Sequence, residues 1–113
     1  MPVATMLTVA ALFWAGHGYT AQPVTWEWGI PVMGASMIHP GNVAEGFAMF
    51  NSDHIYLNRE WWDRAPNWQR CEVVIHEVGH AAFGFAHTDG TVMSEIDGPA
   101  RPVPGTCKRK WRK

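Results

Sequence analysis

The chain predicts an α+β fold in one small domain. Three observations carry that expectation: an apolar run of helix length near the start, short strand-like segments broken by turns in the middle, and a histidine motif with helical spacing from His76. At 113 residues the chain sits near the small end for a self-sufficient core. Apolar residues make up 47% of it and seven residues are tryptophan, so a compact core is within reach.

The elements follow in order. From Val3 to Ala15 only Thr5 and Thr8 interrupt an apolar run. Two readings of residues 1–18 stay open: a first structural helix, or a signal segment with Gly16-His17-Gly18 as small residues near a cleavage point. No lysine or arginine precedes the run, which favours the helix. Val24 to Ile30 alternates aromatic and polar residues between Pro23 and Pro31, as a strand does. Met33 to Asn42, with Pro40-Gly41, reads as a loop. Phe47–Phe50 and His54–Leu57 are short apolar segments joined by Asn51-Ser52-Asp53, a hairpin-like arrangement. Trp61, Trp62 and Trp68 flank Pro66 and serve equally well as core or as cleft wall. A helix opening at Cys71 then carries the motif, and the domain is read as residues 1–98. Residues 99–113 form a proline-rich and then basic tail.

The run H-E-V-G-H-A-A-F-G-F-A-H spans His76 to His87. Four residues apart on a helix, His76 and His80 project from one face about 5.4 Å apart along the axis. Two nitrogens placed so can reach one Zn²⁺ at about 2.0–2.1 Å. Glu77 can stand beside the metal's water as a general base. Gly84 offers a place for the helix to stop, and His87 beyond it is the favoured third ligand, leaving a fourth position for water. Had the helix continued, His87 would lie about 10 Å along the axis from His80, too far to share an ion. The chain must therefore break at Gly84, where positive φ costs nothing. Asp89 is the next ligand in line, and Glu95 or Asp97 would give a different arrangement. Met93 follows after a polar turn, either as a core plug or as a support beneath the ligands. His17, His39 and His54 share no metal-binding spacing and read as surface or loop histidines.

This pattern of H-E-x-x-H, glycine, histidine and a methionine turn resembles the metzincin clan of zinc peptidases, the matrixin-like branch most closely. Ser52 to Asn58 followed by Trp61-Trp62 is similar to the central strand before the active-site helix of small metzincins. The similarity covers Thr25 to Glu95 and is specific from His76 to Met93. One extra residue separates this chain from the family pattern: Gly84 and His87 lie four and seven residues after His80, where three and six are usual. A π-bulge or a longer turn could absorb it. The resemblance implies a small, twisted, mostly parallel sheet with an antiparallel edge strand (Gly46–Phe50), a backing helix and an active-site helix. It also implies zinc and hydrolysis of peptide bonds by a metal-activated water, with Glu77 as base. A protein or peptide substrate would extend the edge strand.

Composition limits other functions. No stretch of about 20 apolar residues exists to span a membrane as a helix. Five of nine basic residues fall in Lys108–Lys113, whereas the body before them holds four basic against ten acidic residues. That tail reads as a solvated end, or as a tether to an anionic surface, and not as a reader of nucleic acid. Cys71 and Cys107 allow one intramolecular disulfide, which would fit an exported protein. Two rivals to the enzyme stand beside it: a non-catalytic zinc-stabilised binding module, and a peptide-binding or wall-associated protein that uses the basic tail and has a degenerate site. Within the enzyme class, a metalloamidase acting on cell-wall peptide is the alternative.

Overall fold

The computed structural model describes residues 2–31, 44–88, 90–94 and 103–110, with 108–110 described by backbone only. The loop expected over Met33–Asn42, His39, the alternative ligands Asp89, Glu95 and Asp97, and the last three basic-tail residues lie outside these. Among the described residues the chain is α+β, with four helices and a three-stranded mixed sheet.

Helix α1 spans Val3–Gly16 and buries Val3, Met6, Ala10 and Trp14, a stripe at helical spacing. It ends where His17 and Gly18 N–H groups donate back to the Trp14 and Ala15 carbonyls, Gly18 taking φ 90°. The three strands are β1 (Thr25–Trp28), β2 (Gly46–Ala48) and β3 (His54–Leu57), in the order β1-β3-β2. β1 runs parallel to the central β3, pairing Thr25 with His54 and Trp28 with Leu57. β2 is an antiparallel edge strand, pairing Gly46 with Leu57 and Ala48 with Ile55, so the hairpin-like reading of these segments holds. The sheet thus has one parallel and one antiparallel pairing. β1 is shorter than the alternation suggested, because Gly29 at φ 98° turns the chain away after donating to the Leu57 carbonyl.

Asn58 caps helix α2 (Arg59–Arg64) by accepting the Trp61 N–H at 3.2 Å, and its own side-chain amide donates to the Ala44 carbonyl at 2.8 Å. Trp62 from α2 is buried, while Trp61 and Trp68 are half-buried. Helix α3 (Asn67–Phe83) opens four residues earlier than expected from Cys71, because Pro66 in an extended conformation provides its entry. It is the centre of the molecule, with the sheet on one side and α1 on another. Every residue from Cys71 to Ala81 is buried. The Trp14 indole donates to the Ile75 carbonyl at 3.0 Å, which pins α1 to the middle of α3.

Helix α4 (Gly105–Lys110) carries the start of the basic tail. Cys107 pairs with Cys71, their Cα atoms 5.6 Å apart, and holds α4 against the first turns of α3. No helix among the described residues is long and apolar enough to cross a membrane.

Candidate metal centre

Four of the eleven consecutive buried residues of α3 are polar or charged: Glu72, His76, Glu77 and His80. Burying such groups costs free energy unless they are hydrogen-bonded or coordinate something. Their spacing places Glu72, His76 and His80 on one stripe of the helix, one turn apart.

Beyond Phe83 the helix stops at Gly84, in the left-handed region at φ 66°, ψ 25°. In the usual glycine-terminated end, the glycine N–H reaches back three residues and the next N–H five. Here Gly84 N–H makes the four-residue bond of the αL form, to the His80 carbonyl at 3.0 Å, and Phe85 N–H reaches six residues back to the Gly79 carbonyl at 3.1 Å. The β2–β3 turn adds two donors to this end: Asn51 N–H gives the His80 carbonyl a second bond, and Asp53 N–H bonds the Ala81 carbonyl. Both donors take positive φ, 61° and 53°, a conformation asparagine and aspartate tolerate well. Gly84 is required twice over, since a Cβ there would stand 2.6 Å from the Asn51 side-chain amide.

The chain then folds His87 back onto the helix. Its Nε2 lies 3.1 Å from Nε2 of His80, which lies 3.1 Å from Nε2 of His76. One ligand nitrogen from each of the three falls within 4.8 Å of the others. Three nitrogens at about 2.05 Å from a tetrahedral ion stand about 3.3 Å apart, so the spacing suits a single metal. The second nitrogens are held too. Nδ1 of His76 faces the Val92 carbonyl at 2.9 Å, and Nδ1 of His80 faces the Phe85 carbonyl. A carbonyl only accepts, so each Nδ1 carries the proton and each Nε2 of the neutral ring presents a lone pair. Lone pairs at this separation repel unless a cation or a shared proton lies between them. Three imidazole nitrogens converging in this way fit a divalent metal ion such as zinc. Among the described residues this is the one cluster of its kind. His76 and His80 are buried and His87 is exposed, which opens the cluster to solvent on the His87 side.

The turn from Thr88 to Ser94 supplies the Val92 carbonyl. It is braced by Thr88 N–H to the Met93 carbonyl at 2.9 Å and by Thr91 Oγ1 to the Thr88 carbonyl at 2.7 Å. Met93 itself packs beneath the helix at Gly79, where a Cβ would meet its sulfur at 2.5 Å. This buried contact is that of a core plug.

Glu77 is buried beside the edge strand. A Cβ on Gly46 would stand 3.0 Å from its Cγ, 3.2 Å from its Oε2 and 3.0 Å from the Tyr56 carbonyl. Absence of a side chain at Gly46 is thus what admits the carboxylate to the β2 edge. At the other end of the same segment, the Phe50 ring stacks on the His80 ring at 5.3 Å and 18°. Sequence reasoning marked residues 46–50 as an edge strand but named neither residue as part of the site. A lone glycine and a lone phenylalanine carry no periodic signal for a contact some 30 residues away. His54, read as an ordinary surface histidine, holds Glu27 at 2.8 Å and Thr25 at 2.6 Å across β1 and β3. It lies outside the cluster.

Comparisons with protein-family models, with curated proteins and with solved structures find no match to this chain. The reading of the site rests on its geometry.

Proposed function

We propose that this chain is a zinc-dependent endopeptidase of metzincin-like architecture, with His76, His80 and His87 as the metal ligands. One observation carries the reading: three imidazole nitrogens converge with 3.1 Å spacings, the two buried rings held by backbone carbonyls with their lone pairs inward. Exposure of His87 favours an open, catalytic site over a closed structural one, which would need a fourth protein ligand.

Bound there, zinc supplies Lewis acidity, polarising a carbonyl and lowering the pKa of water toward about 7. The chain's residues do the rest. β2 is an edge strand whose outer side pairs with no strand among the described residues, so an extended peptide can add to it through backbone hydrogen bonds. Gly46 leaves room for Glu77 at that edge, and in this reading the carboxylate faces the bond to be cleaved. Glu77 accepts a proton as water attacks the carbonyl carbon. It then delivers the proton to the amide nitrogen as the C–N bond breaks. The products of that step are a carboxylic acid and a neutral amine, and the acid's proton then passes to the amine or to solvent, leaving a carboxylate. Val92 and Phe85 carbonyls keep the two buried imidazoles in the tautomer that binds metal throughout.

The test is Glu77→Ala in zinc-loaded protein, assayed on a mixture of internally quenched fluorogenic peptides. Zinc content should stay at one per chain while cleavage disappears. Cleavage that persists at the wild-type rate removes Glu77 as base and the mechanism with it.

A further inference from the structure

Phe50 spends an apolar ring on solvent immediately beside the metal centre. It is 55% exposed, although one face of its ring lies on His80. Covering the imidazole needs only that one face. The backbone that carries the ring is also held firmly. Asn51 N–H and Asp53 N–H, just after it, are bonded to the end of α3. The Ser52 hydroxyl closes the turn by donating to the Met49 carbonyl at 2.8 Å. A phenylalanine fixed in this way, with the rest of its surface open, is preorganised to receive something apolar, since it offers no hydrogen-bonding group.

Resting on the peptidase reading above, we infer that Phe50 is a specificity-determining residue: it receives an aromatic or large aliphatic side chain of the peptide, on the His80 side of the bond to be cleaved. Two features place that occupant. Phe50 continues the segment that begins with β2, so a peptide paired along Gly46–Ala48 runs on toward it. Its ring centre is 5.3 Å from that of His80, a ligand in this reading, so a side chain laid on the open part of the ring belongs to a residue within one or two of the bond to be cleaved. Aromatic pairs contribute about 0.5–1.5 kcal/mol beyond area burial, which corresponds to a preference of roughly 2- to 10-fold.

The test uses zinc-loaded protein titrated calorimetrically with three probes: acetohydroxamate, L-serine hydroxamate and L-phenylalanine hydroxamate. Wild type should bind the phenylalanine compound roughly 2- to 10-fold more tightly than the serine compound. Phe50→Ala should retain zinc and bring that ratio near one, whereas Phe50→Tyr should preserve it. An unchanged ratio in Phe50→Ala overturns the inference. So does an equal loss for all three probes, which would assign Phe50 to shielding His80 alone. If acetohydroxamate fails to bind wild type, the open metal centre itself is refuted and this inference falls with it; binding without preference refutes only the inference.

Discussion

Gly79 lies between the two helical histidines, and replacing it with alanine sets two known effects against each other. Alanine in a helix interior is favoured over glycine by about 1 kcal/mol. Its methyl group, however, would stand 2.5 Å from the Met93 sulfur, 3.0 Å from Met93 Cε and 3.0 Å from Trp14 Cζ2. Ordinary contacts fall at about 3.5–4.0 Å, so the intrusion is about 1 Å on the sulfur and about half that on the indole. Methionine can yield, but Met93 is buried and its backbone is bonded on both sides to the 88–94 turn. Trp14 is buried and tied by its N–H to Ile75. Overpacking of this kind costs about 1–3 kcal/mol, so the clash outweighs the helical gain by about 1 kcal/mol. For a domain of this size the melting temperature should fall by about 4 °C. Because Met93 follows Val92, whose carbonyl orients His76, the zinc dissociation constant should rise as well. Thermal unfolding followed by circular dichroism, with and without zinc, and a chelator competition read both effects. A melting temperature raised by several degrees with unchanged zinc affinity would show that neither Met93 nor Trp14 packs on Gly79.

Two other perturbations probe separate parts of the account. Gly46→Ala should keep zinc but lower kcat by about 10- to 100-fold, because the new methyl competes with Glu77 at the β2 edge; peptide cleavage at the wild-type rate would contradict this. Replacing Cys71 and Cys107 together by alanine opens a link across 36 residues of chain and should destabilise the domain by about 3–4 kcal/mol in denaturant titrations, with an unchanged midpoint as the opposing result.

Much of the site was legible because it is local. His76, Glu77 and His80 obey helical spacing, and Gly84 marks where the helix must end for His87 to return. How the helix ends was not legible. It depends on a Phe85 N–H that reaches six residues back to Gly79 and on Asn51 and Asp53 arriving from another element. The strands could be recognised by alternation, yet the parallel pairing of β1 with β3 joins segments far apart in the chain, and no pattern in either names its partner. The apolar face of α1 was visible, but the structure sets it principally against α3, fastened by Trp14 to Ile75. Two cysteines allowed one disulfide or two free thiols, which composition could not decide, and the structure joins Cys71 to Cys107. Gly46 and Phe50 mark the limit of such reading, since each matters through a single long-range contact.

The central claim is that three histidines, including the displaced His87, hold one metal ion. Zinc per chain, measured by elemental analysis on wild type and on His87→Ala purified and reconstituted side by side, tests it most directly. The account predicts one zinc in wild type, and its loss or marked weakening in the variant. Zinc held equally by both proteins, or by neither, would contradict it.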